Sequence, residues 1–263
     1  MEPIILGQTG LQAGRLGLGA AYGAPAAAFE EAFEKGCNYF YWTSRKSGMR
    51  EAIQNICKNG HRDRLIIAVQ SYSRSAFLLE HSVKRALKSL AVEYADILLL
   101  GWHNKAPANR LMDKAMSLKQ KGLVRFLGMS GHNRSLFPGM NEKGVFDLFH
   151  IRYNAAHRGA ETETFPFLRQ ENGPGIVTYT ATRWGHLLKP KYMPPGETVP
   201  TATDCYRFVL THPAVDVCLC GPKNIDQSRG ALKALELGPM NKDEMGRMKK
   251  IGDHVHAHAG RFF

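Results

Sequence analysis

"ADILLLGW", residues 95–102, is the stretch on which the fold turns. It is almost continuously apolar, yet far too short to span a bilayer. A run of this kind reads as a strand buried on both faces, as in a parallel sheet covered by helices. Working outward, "RLIIAVQ" (64–70) lies before it and "VRFLGMSG" (124–131) after it. Stretches of helical length and amphipathic pattern separate the three, "SAFLLEHSVKRALKSLA" (75–91) and "RLMDKAMSLKQKG" (110–122). The alternation continues both ways through "RLGLGA" (15–20), "NYFYW" (38–42), "LFHIRYNA" (148–155), "GIVTYTAT" (175–182) and "DVCLCG" (216–221).

Eight strand–helix units in 263 residues fit an α/β fold of one domain, a closed (β/α)8 TIM barrel over residues 1–263. A doubly wound open sheet is the other candidate, but "GLGAAYG" lacks the Gly-x-Gly-x-x-Gly that such a sheet places after its first strand. The opening "IILGQTGLQAG" reads as an N-terminal β-hairpin plugging the barrel floor. "NKDEMGRMKKIGDHVHAH" (241–258) reads as an extra C-terminal helix.

The net charge of +12 implies attraction to anions: a phosphorylated cofactor, an acidic metabolite or nucleic acid. The cations are scattered rather than gathered in a stripe, which argues against nucleic acid. Five cysteines without a Cys-x-x-Cys spacing read as small apolar residues of a reducing compartment. Nothing in "MEPIILGQTG" resembles a secretory leader and no run is long enough for a membrane span, so a cytoplasmic protein with no membrane partner is expected.

In a barrel the site lies where the strands end. Those ends supply Tyr41, Trp42, Arg45 and Lys46, then Gln70, Trp102 and His103, then Ser130 and His132, then Arg152 and Arg158, then Tyr179, Thr180, Arg183 and Trp184, then Gly221, Lys223, Asn224 and Gln227. Few are simple core formers, and their density points to a small-molecule pocket. Tyr41 with Lys46 and His103 forms the candidate reacting group: a phenol near pKa 10 needs a neighbouring cation to exchange a proton near neutrality. Trp42, Arg45, Gln70, Trp102, His132, Arg152 and Arg158 are candidate substrate contacts. Arg158 either clamps a carboxylate or pairs with Glu161, and Arg183 is either a second anion clamp or a stack on Trp184. His254 and His258 have metal-pair spacing, but no carboxylate or cysteine ligand accompanies them, so no metal is expected.

The segments "LGQTGLQAGRLGLG", "GCNYF", "YADILLLGWH", "KGLVRFLGMSGHN", "IRYN" and "VDVCLCGPKNIDQ", in this order, resemble the short members of the aldo-keto reductase superfamily. The resemblance implies hydride transfer between NADP(H) and a carbonyl, with an Asp/Tyr/Lys/His tetrad. Carried over position by position, the aspartate falls on Tyr41, the tyrosine on Lys46 or Ser47, the lysine on Gln70 and the histidine on Gly101. It implies NADP contacts from Ser130, Tyr179, Thr180, Gly221, Lys223, Asn224 and Gln227, while the amide-holding glutamine falls on His150. The expectation is an NADP(H)-dependent oxidoreductase acting on a small, anionic carbonyl or alcohol substrate with non-standard catalytic residues. The alternatives are a non-redox lyase or isomerase on an acidic molecule, and a catalytically silent nucleotide- or partner-binding protein. Oligomeric state is not legible.

Overall fold

The computed structural model describes residues 1–43, 48–169 and 173–260. A short antiparallel hairpin, β1 (Ile4–Ile5) with β2 (Gln12–Ala13), precedes eight parallel strands. These are β3 (Leu16–Gly19), β4 (Tyr39–Trp42), β5 (Ile66–Ser71), β6 (Ala95–Leu100), β7 (Val124–Gly131), β8 (Leu148–Arg152), β9 (Gly175–Tyr179) and β10 (Val217–Cys220). They close into a barrel in chain order, with β10 returning to β3. The main covering helices are α1 (Ala26–Glu34), α2 (Met49–Lys58), α3 (Ala76–Leu90) and α4 (Asn109–Gln120). The short α5 (Leu136–Asn141), α6 (Ala160–Glu163) and α7 (Phe165–Leu168) follow, then α8 (Ala202–Thr211) and α9 (Ile225–Leu237). The extra helix α10 (Lys242–His258) comes last. Among the described residues no helix is long and apolar enough to cross a membrane.

Side chains alternate between two cores because successive strand residues face opposite ways. Tyr39, Ala68, Ile97, Leu148, Val177 and Leu219 fill the barrel, closed from below by Leu6 and Ala13 of the hairpin segment. Phe40, Trp42, Val69, Leu98, Ile151, Cys218 and Cys220 face outward into the thicker layer between strands and helices. The five cysteines are free thiols.

One device recurs at the floor and sets this alternation. Immediately before the first inward residue, β4, β6, β8 and β10 each carry an Asn or Asp whose side chain accepts a backbone N–H beside the preceding strand. Gly14 N donates to Asn38 Oδ1 (2.9 Å), Ile67 N to Asp96 Oδ2 (2.9 Å), Leu127 N to Asp147 Oδ2 (2.8 Å) and Ile176 N to Asp216 Oδ2 (2.8 Å). Each carboxylate is also neutralised by cations: Asp96 by Arg62 (2.9 Å) and Arg125 (3.0 Å), Asp147 by Lys119 (3.1 Å), Asp216 by Arg169 (2.9 Å). A buried carboxylate needs such partners.

Asp96→Ala strands the Ile67 N–H and leaves Arg62 and Arg125 without their carboxylate. It is expected to cost roughly 3 kcal/mol in urea unfolding. Glu142→Ala, at an exposed position, is expected to stay within about 0.5 kcal/mol of the parent. Equal midpoints for the two variants would show that the clamp does not hold the strands.

Candidate functional site

The inward positions rise in layers toward the C-terminal mouth. The lowest polar layer crosses the barrel axis. β4 and β8 lie opposite each other in the closed sheet, and a 2.7 Å hydrogen bond joins the Tyr39 hydroxyl to His150 Nε2. There is room because β3 brings glycines: a Cβ on Gly17 would meet Leu219 at 2.8 Å and Tyr39 at 3.1 Å. Burial drives the His150 pKa down to about 3 and lifts that of Tyr39 well above the phenol range, so both are neutral.

Tyr41 lies one layer higher, its ring centroid 5.4 Å from His150. Burial first, then the phenols of Tyr72 and Tyr39, pushes its pKa well above the usual value. The exposed Tyr72 is the neighbouring phenol nearest the mouth. On the adjoining β5, Gln70 turns into the gap left by Gly101, where a Cβ would come within 2.2 Å of the Gln70 Nε2. The Gln70 Oε1 is buried with no hydrogen-bond partner among the described residues. Of the three strand positions that the resemblance equates with aspartate, lysine and histidine, Gln70 and Gly101 meet, the carboxamide filling the gap, while Tyr41 lies on the adjoining β4, paired with Ala68 two residues below Gln70.

Above them an aromatic ladder leads outward. Tyr179 and His132 stack at 6.3 Å, His132 meets Trp102 edge-on at 5.6 Å, and Trp102 meets Tyr72 at 6.3 Å. Trp102 Nε1 donates to His132 Nε2 (3.1 Å), and the Tyr179 hydroxyl donates to Gly131 O (3.0 Å). Arg152 stands beside Tyr179, and with burial it lowers the pKa of His132. The backbone is strained here: Trp102, Thr180, Arg183 and Trp184 are non-glycine residues at φ 60°, 63°, 50° and 51°. Such conformations tend to gather at functional sites.

Ser130 Oγ accepts the Trp102 N–H (3.1 Å), which leaves its own proton available to a ligand. The Thr180 hydroxyl donates to Tyr179 O at 2.6 Å. The Tyr22 ring covers Gly221, where a Cβ would fall 2.1 Å from it. Asn224 caps α9 by accepting the Gln227 N–H (2.9 Å), and Gln227 Oε1 accepts the Lys223 N–H (3.0 Å). The Lys223 side chain stays exposed at this helix start.

Other expected residues lie elsewhere. Trp42 faces outward, 4 % exposed in the strand–helix layer, because it is one residue out of phase with Tyr41. His103 is buried with its backbone N–H donated to Ser130 O (2.7 Å), and no hydrogen bond or ring contact joins it to Tyr41. Burial and then the Arg74 charge lower its pKa to about 4. Arg158 donates to Asp253 (2.7 Å) and to Ala155 O (2.6 Å) rather than pairing with Glu161, which instead accepts the Tyr153 hydroxyl. Arg183 is buried and donates to Val255 O and Gly260 O, capping the end of α10. His254 and His258 stack at 4.0 Å, and the described residues hold no cluster fit for a metal ion. Arg45 and Lys46 fall outside the described residues.

Sequence reasoning missed Tyr39 as the partner of His150, and Tyr72 as the neighbour of Tyr41. The signal was present: Tyr39 and Tyr41 are two apart on one strand and therefore share a face.

With its pKa near 3, His150 stays unprotonated in the folded protein, while the unfolded chain takes up that proton near pH 6.5. The stability it confers is therefore whole above pH 6.5 and is lost as pH falls toward 3. Between pH 7 and 5 the loss is about 2 kcal/mol. Urea unfolding at both pH values should show this slope in the parent and a shallower one in His150→Gln. Identical slopes would contradict it.

Residues 26–199 match the Aldo/keto reductase family. Two solved structures of an aldo-keto reductase from Bacillus halodurans are similar along nearly the whole chain. The holo form has 23 % identity and a TM-score of 0.77, covering 95 % of this chain and 96 % of that one. The apo form has 22 % identity, the same score and the same coverage. At that identity the likeness speaks for the barrel alone. No protein of curated function matches the sequence.

Proposed function

The chain belongs to the aldo/keto reductase family, and we propose that it reduces a small carbonyl compound with NADPH, Tyr41 giving the proton. The carrying observation is an inward Tyr41 with, on the adjoining strand, Gln70 turned into the gap of Gly101, at the inner end of an aromatic-lined mouth.

The residues present suit the cofactor. The orphaned Gln70 Oε1 calls for a donor such as a carboxamide N–H, and the Ser130 hydroxyl can donate to a carboxamide oxygen. Tyr179 offers a ring inside the barrel, with Thr180 and Gly221 at the adjoining strand ends. Lys223 at the start of α9, with Asn224 and Gln227 shaping the turn, is a ready phosphate site. His150 contributes nothing directly, since Tyr39 engages it. When bound, the nicotinamide supplies the hydride that the carbonyl carbon accepts.

The chain's own residues then handle the oxygen. Tyr41 is protonated because burial disfavours its phenolate. It passes its proton to the carbonyl oxygen as negative charge builds there, and the Gln70 Nε2–H group can donate a hydrogen bond to the same oxygen. The resulting phenolate recovers a proton from water at the mouth, where the neighbouring Tyr72 is exposed. A phenol of this kind is a proton donor rather than a base, which favours reduction over alcohol oxidation. Trp102, His132 and Arg152 line the way in, with Arg152 drawing an anionic substrate. Of the other two candidate reacting groups, Lys46 falls outside the described residues, and His103, in the loop after β6, has no hydrogen bond or ring contact with Tyr41 and is held neutral by burial.

NADPH titration by tryptophan quenching should show binding, and Lys223→Ala should weaken it about 10- to 100-fold. No binding at millimolar NADPH would sink the oxidoreductase reading and leave a non-redox or binding role. Tyr41→Phe should slow turnover of any reducible carbonyl by on the order of 10²- to 10⁴-fold without weakening NADPH. Full activity in that variant would exclude Tyr41 as the donor.

A further inference from the structure

The two ends of the barrel differ in charge. The eight connections leading from a strand to the next covering helix, all at the mouth, contain one acidic residue, Glu197. That residue is paired with Arg247 at 2.9 Å. Among the described residues, the connections leading into the eight strands contain five. A mouth so depleted of carboxylates attracts anions, and part of that attraction is accounted for by the cofactor site at Lys223.

The remainder lies on the other side. In the closed order of strands, β5 and β6 stand across the barrel from β9 and β10. Helices α8 and α9, which follow β9 and β10, begin with side-chain caps from Thr201 and Asn224 and with Asp204 and Asp226 in their first turns. Helices α3 and α4, which follow β5 and β6, begin with neither cap nor acid, so their first N–H groups and the positive ends of their dipoles are uncompensated.

Arg74 lies just before α3. Its guanidinium donates to the carbonyls of Tyr72 (3.1 Å), Gly101 (3.0 Å) and Trp102 (2.6 Å), which ties the two loops together and holds the charge in place. No carboxylate among the described residues pairs with it; Glu80, further along α3, is taken by Lys84 and Lys114. The exposed Lys105 is in the second of these loops. So is His103, 5 % exposed, whose Nε2 is buried without a hydrogen-bond partner. A fixed cation, two bare helix starts and an orphaned imidazole nitrogen thus belong to the adjoining β5 and β6 loops, across the barrel from Lys223.

We propose that the substrate carries an oxyanion, a carboxylate or a phosphate, which is received at this β5–β6 side by Arg74, Lys105 and the first turn of α3. The substrate class is then an oxo acid or a phosphorylated carbonyl compound. This rests on the reading that the cofactor's phosphates go to Lys223.

The test uses cofactor-free protein, so it is independent of whether NADPH binds. Malonate and inorganic phosphate are titrated separately by calorimetry against the parent, Lys105→Glu, Arg74→Gln and Lys223→Ala. The expected result is saturable binding of at least one anion that survives in Lys223→Ala and is weakened tenfold or more in Lys105→Glu and Arg74→Gln; a phosphate site that only Lys223→Ala removes belongs to the cofactor. Which of the two anions binds distinguishes the oxo acid from the phosphorylated compound. Lys105 is exposed, so its variant reports even where Arg74→Gln loosens the loops. Absence of binding, loss of all binding in Lys223→Ala with retention in Lys105→Glu, or equal weakening in both would each overturn the proposal.

Discussion

The floor clamps govern what the mouth can do. Asn38, Asp96, Asp147 and Asp216 each bind a backbone N–H beside the preceding strand, just ahead of the first inward residue of their own. A slip of one residue would turn every side chain of a strand to the other face. With the clamps in place, Tyr39 and Tyr41 face the axis while Phe40 and Trp42 face the helices. The same phase aims Gln70 at Gly101. The chemistry at the C-terminal ends is thus decided by polar contacts at the opposite end, several residues away along each strand.

Much of the architecture was legible because its signals are local and repeated. Buried parallel strands are nearly continuous apolar runs; seven of the eight lie within the expected stretches and β5 runs one residue past its own, to Ser71. The hairpin around its Gly-containing turn and the last helix were equally plain. Side-chain destinations were harder. Arg158 and Arg183 follow strands and so suggested the pocket, but both reach α10, an element remote in sequence that offers carbonyls and Asp253. Trp42 suggested the pocket by being aromatic, whereas strand period places it outside. The bond between Tyr39 and His150 joins residues 111 positions apart and has no local signature.

The interior makes an unusual proton environment. His150, His103 and His157 are all held neutral by burial, which lowers their pKa values to about 3, 4 and 3. They cannot act as acids near neutrality. The described group at the inner end of the mouth that can give up a proton is the Tyr41 phenol, with the exposed Tyr72 as its neighbour. On the proposed reading, Gln70 occupies the strand position where the resemblance implies a pKa-lowering lysine, and the phenol keeps its proton. That difference specifies a donor matched to a developing alkoxide and unsuited to abstracting a proton from an alcohol. The acid-poor mouth, on the same proposed reading, adds selection for anionic substrates.

The most direct measurement of this central claim is the pH dependence of carbonyl reduction under single-turnover conditions with saturating NADPH. A Tyr41 phenol raised well above 10 stays protonated throughout, so the rate should be flat between about pH 6 and 9. A rate that falls with rising pH, with a midpoint near or below pH 8, would show an acid with a lowered pKa and would contradict the assignment of the proton to Tyr41 in this environment.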